Sequence, residues 1–136
     1  MINQKFELSY KIDGDIIGDG EIYTQTHYRR IYAYLKESGY DVYSIGQKTG
    51  KCEKEYIVIK ENGTSGNEYV GYSLVDIIIF YPLSKYSEME LYVKNIKKLL
   101  KDLKFLQFTG NITSSIVDRD VEAYTSSIQY QIFKKI

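Results

Sequence analysis

Apolar residues recur at two different periods along this chain, and each change of period marks a new element. Between about Thr24 and Ser38, the positions Tyr28, Ile31, Tyr32 and Leu35 fall three or four residues apart, the spacing of one helical face. Gly39 follows where a left-handed residue would close that helix. The period then drops to two. "YDVYSI" and "EYIVIK" predict short strands, and Glu61-Asn62-Gly63 through Gly66-Asn67 predicts a turn or hairpin tip rich in residues that tolerate positive φ. From it emerges "EYVGYSLVDIIIFYP", the longest strand candidate, closed by Pro82. Alternation along it places Val70, Tyr72, Leu74, Ile78 and Phe80 on one face together with Asp76. A carboxylate on an apolar face needs a partner if buried, so Asp76 is expected as a hydrogen-bond hub or at a subunit junction.

The second helix carries a start signal, Ser87-Glu88-Met89-Glu90, which has the form of a capping box. Met89, Tyr92, Val93, Ile96, Leu99, Leu100 and Leu103 then make an apolar stripe, with Lys94, Lys97, Lys98, Lys101 and Lys104 largely outside it. A stripe this regular packs on a sheet, leaving the lysines as a solvated face. "EAYTSSIQYQIF" alternates again, with Tyr124, Ile128, Tyr130 and Ile132 against Thr125, Ser127, Gln129 and Gln131, and predicts a strand buried on one side. At the other end of the chain, "KFELSYKI" sets Phe6, Leu8, Tyr10 and Ile12 against polar neighbours, as a half-buried strand or extended arm. The order arm-α-β-β-β-α-β is that of an α+β domain, two helices packed on one mostly antiparallel sheet. Residues 1–23 form an N-terminal extension or arm, and residues 24–136 a single α+β domain.

Length and charge narrow the function classes. The 136 residues suffice for one domain with its own core. Eighteen Lys and Arg balance eighteen Asp and Glu, so no global field recruits nucleic acid or an anionic membrane; any such partner would need a local patch. One cysteine and one histidine make neither an internal disulfide nor a Cys/His zinc site within one chain. The longest apolar run, Val75 to Tyr81, is interrupted by Asp76 and is too short to span a bilayer, and the residues after Met1 are polar rather than a signal core. A protein assembled in the cytoplasm is expected. Fifteen tyrosines with no tryptophan suit half-exposed strand positions and equally suit surfaces that are wet in a free subunit and covered in a complex.

The candidate chemistry falls away on inspection. "GQKTGKC", Gly46 to Cys52, approaches a phosphate-binding loop, but its glycines stand one residue too close and Cys52 occupies the position of the magnesium-binding hydroxyl. A strand follows it where a helix N-terminus is required. It is a basic, glycine-rich connection between strands, and Lys48 and Lys51 become candidate contacts to an acidic neighbour. "DGDIIGDGE" fails as a calcium loop because Ile17 and Thr24 fill ligand positions. Asp118 and Asp120 in "VDRDV" belong to a charged loop rather than to an acid–base pair, and His27, beside Tyr28, has no nucleophile or orienting acid near it in sequence.

Three stretches carry a resemblance: "YLKESGYDVYSIGQKTGKCEKEYIVIKENG", "DIIIFYPLSKYSEMELYVKNIKKLL" and "TGNITSSIVDRDVEAYTSSIQYQIFK". Their succession of strand, glycine-rich loop with a cysteine, helix and C-terminal strand, from about Ile31 to Phe133, resembles the tail terminator (tail completion) proteins of tailed phages and phage-tail-like particles. The resemblance implies a small α+β subunit that forms a ring, typically a hexamer, on the head-proximal end of the tail tube, ends tube polymerisation and joins the tail to the neck or head. It implies a virion tail location, no catalysis and no cofactor. The implied partners are a second copy of the chain, the tail tube protein and a neck or head-completion protein, with a sheath terminal ring a further one where the tail is contractile. No membrane and no specific nucleic acid belong to that set. A neck or head-closure adaptor and a cytosolic small-ligand-binding regulatory domain are the alternatives. Phe6, Tyr10, Ile12, Lys48, Lys51 and Asp76 are the candidate interface residues. The arm would add to a neighbour's sheet edge by strand addition.

Overall fold

The computed structural model describes residues 26–66 and 70–135. The chain divides into two compact units, residues 1–34 and 35–136. The fold is α+β, with two helices and one six-stranded, mostly antiparallel sheet. Helix α1 spans His27–Glu37, strand β1 Val42–Ser44, β2 Tyr56–Gly66, β3 Val70–Pro82, helix α2 Tyr86–Leu100, β4 Gln107–Ile112, β5 Ile116–Asp118 and β6 Ala123–Lys135. A short 3₁₀ turn, Leu83–Lys85, leads into α2. Phe6, Tyr10 and Ile12 lie outside the described residues.

Helix α1 starts and stops for the local reasons its sequence suggests. Thr26 Oγ1 accepts the Arg29 backbone N–H at 3.2 Å, satisfying one of the four donors that a helix start leaves over. At the other end Gly39 has φ 97°, the Gly39 N–H reaches the Lys36 carbonyl and the Tyr40 N–H reaches the Leu35 carbonyl, both at 3.1 Å. This pair of bonds is the Schellman closure, and it needs a residue without a Cβ. Ile31 and Leu35, one turn apart, are fully buried.

The sheet order is β1-β2-β3-β6-β4, with β5 also paired to β6. Only β1 and β2 run parallel, joined through the "GQKTGKC" connection; every other pair is antiparallel. Register builds the core. Ile59, Ile77, Ile128 and Ile112 stand opposite one another across four strands, and Val42, Ile57, Ile79 and Ser126 form the adjoining row. Such cross-strand pairs of β-branched side chains are what stabilise a sheet. Helix α2 covers this face, with Met89, Ile96 and Leu100 buried and the Tyr92 ring meeting Tyr81 edge-on at 5.1 Å.

One expectation, the shared face of β3, holds and is sharpened, and three need correction. The face of β3 that is fully buried carries Val75, Ile77, Ile79 and Tyr81, whereas Tyr72, Leu74, Asp76, Ile78 and Phe80 line the opposite, half-buried face. Both alternating sets are apolar, so the pattern showed a strand without showing which side faces the helix. First, Ser87 does not cap α2. Pro82 sets φ at −58° and opens a 3₁₀ turn that runs into the helix, so Lys85 stands at the N-cap with no side-chain bond and Ser87 falls inside the first turn. Second, β2 continues through 61–66, where a turn was expected. Gly63, at φ 94°, absorbs the register shift between Glu61 and Thr64 as a bulge. Third, β4 and β5 add two strands between α2 and β6, so the order is α-β-β-β-α-β-β-β, and Asp118 ends a strand rather than sitting in a loop.

Burial also shifts tyrosine ionisation. Desolvation pushes Tyr56 and Tyr130 up to about 12, for Tyr56 with a smaller contribution from Cys52, and raises Tyr92 as well. An unfolded tyrosine ionises near ~10, so between about pH 10 and 12 the unfolded chain loses protons that the folded one keeps. Stability present below that window is therefore lost as pH rises through it. The urea midpoint is expected to fall between pH 9.5 and about 11.5, and to fall less steeply in Tyr56→Phe. Parallel slopes for the two chains would remove Tyr56 as a cause.

Candidate functional site

The outer edge of the sheet beyond β6 is built from two strands laid end to end. Thr113 joins them: its N–H donates to the Ser127 carbonyl at 3.0 Å, its Oγ1 accepts the Ser127 N–H at 2.8 Å, and its carbonyl accepts the Ser126 hydroxyl at 2.9 Å. Gly110, at φ 93°, carries the irregularity between Phe108 and Ile112, where Thr109 Oγ1 and Asn111 Nδ2 both bond Gln129 Oε1 at 3.0 Å. A side chain that replaces lost ladder bonds holds a broken edge strand in place.

This edge is apolar. Phe108, Ile112, Ile116 and Val117 are 42, 40, 63 and 39% exposed. By register, Phe108 opposes Tyr130, Ile112 opposes Ile128 and Val117 opposes Tyr124, on the α2 side of the sheet, while Ile116 opposes Thr125 on the other side. Ile112 is thus the last member of the central isoleucine row, and that row runs from the core out to the surface. Clustered apolar exposure of this kind marks an interaction surface, whereas single exposed residues do not.

Between α2 and the β4–β5 junction lies a groove of about 410 Å³. Met89, Val93 and Ile112 supply its apolar lining, Ser115 donates to the Met89 sulfur at 3.7 Å, and Lys94 and Lys97 stand along the helix side with Glu90. The Lys97 ammonium rests 4.6 Å from the centre of the Phe108 ring.

The residues singled out from sequence are not gathered at this edge. Lys51 Nζ lies 3.3 Å from Glu122, and Lys48 Nζ stands 5.5 Å from both the Tyr43 and Tyr56 rings. Both lysines therefore have partners within the chain, over a small cluster of Cys52, Tyr56 and Ala123 edged by Tyr43, Val58, Phe80 and Val121. Tyr56 stacks on Phe80 at 4.7 Å, and the Cys52 N–H donates to the Val121 carbonyl at 2.7 Å. Burial pushes the Cys52 thiol up, Glu55 adding to the effect and Lys48 opposing it, so the thiol stays protonated. A buried thiol held protonated is a poor nucleophile. Asp76 accepts a hydrogen bond from Asn62 Nδ2 across the β2–β3 pair, beside Lys60 in the register.

Among the described residues no group of three or more His, Cys, Asp or Glu side chains is placed to hold a metal ion. Among the same residues no helix is long and apolar enough to cross a membrane. No protein-family model matches the chain, and no curated protein matches it. The β4–β5 edge escaped the periodicity because the irregularity at Gly110 and the break at 113–115 interrupt it; its signal is composition, the Phe, Thr, Ile and Val between Phe105 and Asp118.

Proposed function

We propose that this protein is a structural subunit of the tail-terminator kind, a ring-forming chain that caps the head-proximal end of a phage tail tube. The observation that carries the reading is the apolar β4–β5 edge. A monomer gains nothing by bringing the end of its central core row to the surface, whereas a subunit of a ring buries it against the next copy. A ring needs two different patches that fit each other, and an edge crowded with Phe108, Ile112 and Val117 on one side of the sheet is one such patch. The tail end itself comes from the resemblance of residues 31–133 to tail terminator proteins. In this role the chain needs no catalytic group; its work is done by shape, apolar burial and charge.

Mixing the purified protein with tail tubes and viewing the mixture by negative-stain microscopy tests the reading. Extra density on one end of each tube, with no further tube growth, is the expected result. Density along the tube wall, or none, would set the tail-end role aside.

A further inference from the structure

We propose that the groove between α2 and the β4–β5 junction receives residues 13–21 of a second copy of this chain. The inference rests on the ring reading and names the contact that closes each interface.

The groove defines its occupant by chemistry. Its lining of Met89, Val93 and Ile112 asks for one or two branched apolar side chains. Lys94 and Lys97 on its helix side, two cations against the single carboxylate of Glu90, ask for carboxylates from the occupant. Residues 85–104 hold six lysines against three acids. A purely acidic partner would leave Val93 and Ile112 in water, and a purely apolar one would offer the Lys94 ammonium no carboxylate. The segment "DGDIIGDGE" meets both demands: Ile16 and Ile17 adjoin Asp15, and Asp19 follows two residues later. Residues 1–23 carry Lys5 and Lys11 against Glu7, Asp13, Asp15, Asp19 and Glu21, opposite in sign to the groove. A patch on one copy that fits a different patch on the next is the heterologous contact that a closed ring repeats.

Two full-length variants test this by charge exchange. In the first, Lys94→Glu and Lys97→Glu reverse the groove; in the second, Asp15→Lys and Asp19→Lys reverse the segment. Each alone is expected to weaken self-association roughly tenfold or more at low salt, with an unchanged circular dichroism spectrum. Mixed in equal amounts, the two restore assembly, because the lysine segment of one fits the glutamate groove of the other and the native segment fits the native groove. The chain carrying all four substitutions also assembles. Docking within one chain would rescue the fourfold variant but not the mixture, and that result overturns the proposal, as does failure of both rescues. Rings that persist unchanged in both variants overturn it while leaving the tail-end reading in place; a parent chain that never self-associates overturns both.

Discussion

Replacing Ile77 by alanine is expected to cost this fold ~2–5 kcal/mol, the range for truncating a buried isoleucine in a rigid core. Ile77 is fully buried on the central strand β3, with Ile59 opposite on β2 and Ile128 opposite on β6. Both neighbours belong to long paired strands and cannot collapse into the space without breaking ladder bonds on two sides. For a domain of this size an effect near the upper end approaches the whole stability. Urea unfolding followed by far-ultraviolet circular dichroism measures it: the midpoint should drop steeply with little change in slope. A loss below about 0.5 kcal/mol would mean that the isoleucine row is not the centre of the core.

The second large effect is expected on assembly rather than on folding. Ile116 is 63% exposed and opposes Thr125, on the side of the sheet away from α2. Ile116→Asp therefore removes little from the monomer, and its thermal midpoint should stay within a few degrees of the parent. If the ring contact covers this edge on both sides of the sheet, the variant loses up to ~1.5–3 kcal/mol of apolar burial at each interface, which is at most roughly a 10- to 150-fold weaker association. Placing a carboxylate against an apolar partner adds to that loss. Sedimentation across a concentration series separates the two effects. An unchanged association constant with an unchanged thermal midpoint would take Ile116 out of the interface.

The sequence pattern was most informative where one local signal had one physical outcome. Gly39 closes α1 through the φ 97° conformation that its position suggested. The β6 alternation buries Ile128, Tyr130 and Ile132 as its period requires. The stripe on α2 packs down as Met89, Ile96 and Leu100. It was least informative where a choice depended on neighbours distant in the chain. Nothing local tells whether the Ile77 set or the Ile78 set of β3 meets a helix, since each is apolar enough to be buried. Ser87 has the right spacing for a cap, but the turn set up by Pro82 starts the helix before it. The apolar edge was hidden for a related reason. Gly110 and the break at 113–115 interrupt the period that would have revealed two strands, and only pairing with β6 joins them into one surface. Of the candidate interface residues, Lys48 and Lys51 are engaged by Tyr43, Tyr56 and Glu122 instead of converging on that surface.

Self-association into a closed ring is the central claim, and the mass and shape of the purified chain test it most directly. Native mass measurement together with negative-stain images should show one particle that is a fixed multiple of the 15.9 kDa subunit, with annular views of uniform diameter. A single 15.9 kDa species at every concentration, with no annular particles, would contradict the account.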